Sequence, residues 1–407
     1  MKNKIILSAT ACLVVVISLV GFASKAAPSP LERKIVVFEQ GVANKAEIVS
    51  NAGGKVIKDL PLVNGMAVMV SAKALERKAG VLRVENDDLV FAVGRPFCNY
   101  NEVCEPNLGE NPSCSDCKNG EEEPPAPPSQ VIDWGVDRID ADLVWDTNKG
   151  QGVRVAVIDS GIDSNHPDLL VSGGYNTINP RKSWNDDNGH GTHVAGIVAA
   201  LDNEIGVIGV APMADLYAVK VLNRQGVGFT SDVIEGLYWA IENGMQVANM
   251  SIGSSGCSET YHDAIKAAKD EGITIAAAAG NNGETDGSIV CPAKWPETIA
   301  VSATKQGDEL ASFSSWGEEI DLAAPGYEIK STWNNGDYYV ANGTSMATPH
   351  VAGVAALVIA SGKAISPDDV INLLKGTAES IDMGSSCPTT ASYCQGAGLV
   401  DAQAAVE

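Results

Sequence analysis

The chain has 407 residues, 45% of them hydrophobic, which is enough for a large core and for two or three folding units. Its 51 acidic against 28 basic residues leave a formal charge of -23. That sign opposes binding to nucleic acid or to anionic membrane and otherwise serves solubility.

Residues 1–26 open Met-Lys-Asn-Lys, run through an apolar stretch over 5–22 and reach the small residues Ser24 and Ala26, the order of a cleaved secretory signal. An uncleaved anchor is the alternative, because the stretch almost meets the roughly 18-residue length of a membrane span. Cys12 lies inside the apolar run rather than at its end, so lipidation is set aside. Without the signal, eight of the nine cysteines remain, an even number bound for an oxidising compartment where disulfides are the default. Cys98, Cys104, Cys114 and Cys117 precede the main domain; Cys257, Cys291, Cys387 and Cys394 lie within it. Zinc competes for the first group through a single C-x2-C, Cys114 and Cys117, and lacks a second such pair.

Over 34–91 the pattern predicts strands at 35–38, 55–60, 66–70 and 82–91 with helices at 46–52 and 72–78. The order β-α-β-β-α-β points to a small ferredoxin-like α+β unit over 27–93. Residues 94–128 carry four cysteines and then Glu121, Glu122, Glu123, Pro124, Pro125, Ala126, Pro127 and Pro128, an acidic, proline-rich extended spacer. From 129 to 407, apolar runs at 153–158, 216–222, 247–250, 273–279 and 298–301 suit strands buried on both faces. They alternate with helical patterns at 193–201, 232–242 and 261–270, which predicts an α/β domain with a mainly parallel sheet flanked by helices. Two helices close the chain, over 345–361 and from the capping box Ser366, Pro367, Asp368, Asp369.

A hydroxyl nucleophile needs a base within hydrogen-bond reach and a third group to orient that base. Of the five histidines, His166, His190, His193, His262 and His350, two fall in the segment 187–193. Glycines on either side leave His190 at the start of a helix, whereas His193 belongs one turn inside it. Asp159 ends the apolar run 153–158 at the carboxyl edge of the predicted sheet, where open α/β sheets bind ligands. Ser345 follows Gly343 in a turn that leads into a helix whose first turn tolerates Pro349. The helix start favours negative charge developing beside the Ser345 amide.

Val-Ile-Asp159-Ser-Gly-Ile-Asp, His190-Gly-Thr-His-Val-Ala-Gly and Gly-Thr-Ser345-Met-Ala-Thr-Pro-His resemble the three signature segments of the subtilisin family, in that family's order of Asp, His and Ser. The resemblance covers about 130–407 and implies a subtilisin-like three-layer domain and a secreted, calcium-stabilised serine endopeptidase of broad specificity. In that chemistry Ser345 attacks a peptide carbonyl, His190 carries the proton and Asp159 orients the imidazole. Asn281 matches the family's oxyanion-hole asparagine. Gly226, Val227 and Gly228, with Ser251, Ile252 and Gly253, resemble the two edges along which a substrate backbone pairs as an added strand. Ile252, Gly253, Ala278 and Gly280 would wall the first subsite. There the stretch 283–292 is shortened and Val290 and Cys291 stand before Pro292, with an apolar side chain expected ahead of the cut.

The resemblance also implies a calcium site, with Gln130, Asp168 and Asn203 coordinating through side chains and Leu201, Ile205 and Val207 through carbonyls. The small early unit matches the family's prosegment, an intramolecular inhibitor and folding aid. About 35 residues then intervene before Gln130, a long connection whose cysteines stay with the mature enzyme or are trimmed later. Cys257 is expected to pair with Cys291 beside the cleft, and Cys387 with Cys394 across a short loop; free buried thiols are the alternative. The implied partners are protein and peptide substrates and the prosegment, with no nucleic acid, no stable membrane anchor and a monomeric state. A catalytically silent binding or scaffolding module is the competing reading, opposed by the intact set of Asp159, His190, Ser345 and Asn281. An esterase would want G-x-S-x-G around its serine, and a metalloprotease H-E-x-x-H; neither is present at Ser345 or His190.

Overall fold

The computed structural model describes residues 30–96, 128–283 and 287–407. The signal-like stretch 1–26, most of the spacer, and Cys98, Cys104, Cys114 and Cys117 lie outside the described residues.

The apolar runs of the larger unit become a seven-stranded sheet in the order Leu322–Pro325, Ile299–Thr304, Thr274–Ala278, Val247–Met250, Arg154–Asp159, Asp215–Lys220, Val171–Asn176. Every neighbouring pair is parallel. A parallel sheet must be covered on both faces. On Arg154–Asp159, Val155 and Val157 pack with the helices His190–Ala199 and Thr344–Ser361, whereas Ala156 and Ile158 pack with Thr230–Glu242 and Glu259–Asp270. This is the expected three-layer α/β architecture. The helix Thr344–Ser361 is apolar and long enough to cross a membrane, yet 89% of it is buried inside the protein, so it fills the core.

The two outermost strands carry no long apolar run: Val171–Asn176 contains Gly173 and Gly174, and Leu322–Pro325 is four residues ending in proline. The expected helix at 193–201 starts earlier, with His190 as its first residue. Pro367–Thr377 is capped by the Ser366 side chain as expected, but two short helices follow it, Ala391–Gln395 and Ala402–Val406. Disulfides join Cys257 to Cys291 and Cys387 to Cys394.

In the small unit, Glu32–Phe38, Lys55–Leu60, Gly65–Val70 and Val81–Asn86 form an antiparallel sheet, with Glu32–Phe38 and Gly65–Val70 central. Helix Lys45–Asn51 packs on it. The helix expected over 72–78 is instead a single 3-10 turn, Ala72–Ala74. The amides of Ala74, Lys78 and Val81 each reach back three residues, to the carbonyls of Ser71, Leu75 and Lys78, so the segment makes separate single turns rather than one continuous helix. The strand expected over 82–91 divides into Val81–Asn86 and Leu89–Ala92, because Asp87 turns away to meet the other unit. Leu89–Ala92 then leaves the small sheet and lies between Val227–Phe229 and Ile252–Ser254, antiparallel to both.

Candidate active site

The carboxyl edge of the sheet collects the chemistry. Asp159 ends its strand fully buried, and its two carboxylate oxygens lie 2.8 and 2.9 Å from Nδ1 of His190. Gly189 supplies the turn before that histidine: at φ +110°, any Cβ there would sit 2.2 Å from the Trp333 ring. Burial opposes a charge on His190, but the carboxylate of Asp159, with Asp186 farther off, outweighs it and holds the imidazole above its ordinary pKa. Nε2, the other ring nitrogen, has no hydrogen-bond partner among the described residues and faces the chain at Gly94.

Ser345 is buried near the start of the core helix, and its hydroxyl donates to the carbonyl of Ser251 at 2.9 Å. Oδ1 of Asn281 accepts from the Thr344 amide at 3.0 Å and the Thr344 hydroxyl at 3.1 Å, which fixes which end of this amide is the donor. Its Nδ2 then lies 3.2 Å from where a Cβ on Gly343 would be, and the carbonyl oxygen of Val93 lies 2.7 Å from that same point. The Ser345 amide donates to the Val93 carbonyl at 3.2 Å. The Ser345 amide thus holds one peptide oxygen, with Nδ2 of Asn281 on the same side of Gly343, and that peptide is Val93–Gly94 of the chain itself.

The edges expected to bind substrate hold the chain's own tail. Phe91 is opposite Val227 and Gly253, and Val90 is opposite Gly228 and Ser254. The Ala92 amide donates to Gly226 at 3.0 Å and the Val93 amide to Ser251 at 3.2 Å. Beyond the peptide, Arg95 and Pro96 pair with Asn342 and Ala341. A cavity of about 560 Å³ beside His190 is lined by Gly94, Asn188, Gly226, Trp333 and Ala341. Ile252 and Ala278 are buried in their strands, and Gly280 reaches the tail beside Val290.

The other histidines sit apart. His193 Nε2 faces the carbonyls of Ile329 and Tyr339, so it donates, and burial pushes its pKa down to about 3. His350 faces the Met346 carbonyl through Nδ1, and burial lowers it to about 4.

Asp186 is a positioning residue the sequence hides inside an ordinary polar turn. It accepts from the Asn188 and Gly189 amides, the Ser160 hydroxyl, and the amide and hydroxyl of Thr192. Those bonds tie the turn after Asp159 to the helix that carries His190.

The residues expected to hold calcium come together. The Gln130 amide nitrogen donates to the carbonyls of Leu201 at 2.7 Å and Val207 at 3.3 Å. Asp168 accepts from Asn203 at 2.8 Å, the Val207 amide at 3.0 Å and the hydroxyl of Tyr338 at 3.2 Å, the last a partner the sequence did not reveal. Ile205 joins through its amide, which donates to Asn203. Among the described residues no group of three His, Cys, Asp or Glu side chains could hold a metal ion. This cluster has one carboxylate and several carbonyls, an all-oxygen set that fits a hard cation. Burial raises Asp168 to about 6, against its three hydrogen bonds, so the carboxylate lacks a compensating charge.

The model for the subtilase family matches residues 150–400. Subtilisin Savinase of Lederbergia lenta is 47% identical over 278 residues, 68% of this chain and 99% of that protein. Subtilisin E of Bacillus subtilis (strain 168) is 38% identical over 401 residues, 95% of this chain and 93% of the relative. A match of that extent reaches the small unit as well as the sheet. The chain therefore belongs to the subtilase family and is a serine endopeptidase.

Proposed function

We propose that the protein is the secreted precursor of a calcium-stabilised endopeptidase that first cuts its own chain between Val93 and Gly94 and then hydrolyses protein and peptide substrates with loose sequence preference. One observation carries this reading: the Val93 carbonyl accepts from the Ser345 amide at 3.2 Å, and a Cβ on Gly94 would lie 3.2 Å from Nε2 of His190. The small unit, 27–93, is then the prosegment, and its tail fills the cleft as a substrate would.

The hydroxyl of Ser345 rotates from the Ser251 carbonyl toward Nε2 of His190, gives up its proton there, and forms a bond from Oγ to the carbonyl carbon. The carbonyl oxygen takes the negative charge, between the Ser345 amide and Nδ2 of Asn281. Asp159 keeps the proton of His190 on Nδ1 and supports the imidazolium that forms. Collapse breaks the C–N bond, the imidazolium protonates the leaving amine of Gly94, and water repeats the sequence to release the acyl group. Main-chain pairing along Gly226–Gly228 and Ser251–Gly253 reads backbone rather than side chains, which supports broad specificity.

Calcium would be held by Asp168, by the carbonyls of Leu201, Ile205 and Val207, and by Asn203 and Gln130, each able to present its amide oxygen after a half turn. Bound there, it would supply charge for Asp168 and tie Gln130 to the loop. Residues 1–26 support secretion, and the enzyme is read as a monomer.

Expression of Ser345→Ala tests the reading. The variant should accumulate uncut, with kcat on casein down about a million-fold, the size of that loss in subtilisin itself. Wild-type protein should give a first product starting at Gly94. Continued self-cleavage by the variant, or a first wild-type product starting at Ser129, would refute the assignment.

A further inference from the structure

We propose that Val290 sets the depth of the pocket taking the side chain before the cut, admitting chains up to the size of valine and rejecting aromatic ones. This rests on the reading of Val93–Gly94 as the first bond cut.

The pocket lies between two walls, Ser251–Gly253 and Ala278–Gly280. A Cβ on Gly253 would lie 2.9 Å from one methyl of Val290, and a Cβ on Gly280 would lie 3.2 and 3.4 Å from its two methyls. One side chain that reaches both glycines bridges the slot between them. From the other side, a methyl of Val93 lies 3.1 Å from the same Gly253 position, and Val93 is 5% exposed. Val93 and Val290 therefore meet at Gly253, one as occupant and one as floor.

The floor is fastened at both ends. The Val290 amide donates to Ala279 of one wall at 2.9 Å, and the carbonyl of Cys291 accepts from Ser254, just beyond the other, at 2.9 Å. Cys291 is also tied covalently to Cys257. The space left beside the tail, about 200 Å³, is lined by residues 91–94, Gly280, Asn281, Asn282 and Val290, and by nothing from Ser251–Gly253. It meets the slot along Gly280 and at Val290, so Val290 is the side chain that bounds it there. A ring in place of the Val93 methyls would meet methyls on a backbone held from two sides, and close-packed interiors yield little to such overpacking.

The experiment compares kcat/KM for peptide p-nitroanilides differing only in the residue before the anilide, alanine, valine or phenylalanine, in wild type, Val290→Ala and Val290→Gly. Wild type should prefer valine to phenylalanine by about 10- to 100-fold, the range a few carbon atoms command in an apolar pocket. The phenylalanine-to-alanine ratio should rise stepwise through Val290→Ala to Val290→Gly; taking a ratio within each variant cancels any general loss of activity. In the precursor, Val93→Phe should slow self-cleavage about 10-fold or more and Val290→Gly should restore it. Equal cleavage after valine and phenylalanine by wild type, or a ratio unmoved by Val290→Gly, would overturn the proposal. A first cut at another bond would appear in the product's N-terminus, whereas the peptide ratios judge Val290 alone.

Discussion

The catalytic unit buries apolar side chains on both faces of its own sheet, whereas the small unit, the proposed prosegment, covers only one face of its sheet by itself. Its own cluster comprises Val36, Phe38, Val49, Val68, Val70 and Leu75, under one short helix. On the other face Ile35, Val37, Leu60, Val63 and Ala67 join a cluster with Val233, Ile234, Leu237, Tyr261 and Ala264 of the catalytic unit. Beside the apolar face and the paired tail, the contact is charged. Asp87 accepts from the Ser231 amide at the start of Thr230–Glu242, and Glu85 from the Glu259 and Thr260 amides at the start of Glu259–Asp270. A unit of this size with half its apolar face borrowed is marginal alone. If the proposed cut before Gly94 is made, the small unit loses its covalent tie and keeps only this shared face to hold it folded.

The comparison separates residues that act on the reacting carbonyl from those that only hold the two units together. Outside the triad itself, the largest effect on the first group belongs to Asn281→Ala. Losing this oxyanion donor should lower kcat about 100- to 1,000-fold, a magnitude established on subtilisin, with KM and prosegment affinity little changed. A loss below 10-fold would mean the Ser345 amide suffices. Chelation comes next. With calcium at about a hundred times its Kd, removing it should cost about 2.7 kcal/mol of stability, seen as a shorter thermal half-life in EDTA. Tyr338→Phe should weaken that protection, since its hydroxyl bonds Asp168. An unchanged half-life in EDTA would exclude the site.

Asp87→Ala and Glu85→Ala probe the second group. Each removes a carboxylate from a helix start, an interaction worth about 1 kcal/mol. The separately supplied prosegment should therefore inhibit Ser345-intact enzyme about fivefold less well for each change, with kcat on peptides unaltered. Loss of kcat would show that these carboxylates reach the chemistry as well.

The sequence was most legible where backbone and chemistry coincide. Buried strands with mainly apolar runs, such as Val247–Met250, and the turns carrying Asp159, His190 and Ser345 could be read directly, because burial constrains the one and chemistry constrains both residue and flanking glycines in the other. Strands such as Val171–Asn176 could not, since a half-exposed edge needs neither a long run nor a bulky side chain. Asp186 was invisible for a different reason: its partners are backbone amides and hydroxyls gathered by folding, and a polar turn looks alike whether solvated or buried. The split at Asp87 was missed because its cause, the start of Thr230–Glu242, lies far away in sequence.

The smallest expected effect is in pH and separates activity from stability within the catalytic unit. Burial alone would lower the pKa of His190; the negative charges of Asp159 and Asp186 leave it above 6.5. Nε2 must be neutral to take the proton of Ser345, so self-cleavage should rise with pH through a limb centred above 6.5. Stability runs the other way. A histidine raised on folding contributes stability that is full below its unfolded value and is lost as pH rises through the folded one. His193 adds no titration in that window, since burial holds it neutral. Asp186→Asn removes one of the two charges and keeps most of the shape, so the limb should move to lower pH, read as the self-cleavage rate between pH 5 and 9. If the limb stays fixed while the rate falls, Asp186 acts through the backbone it ties together rather than through its charge.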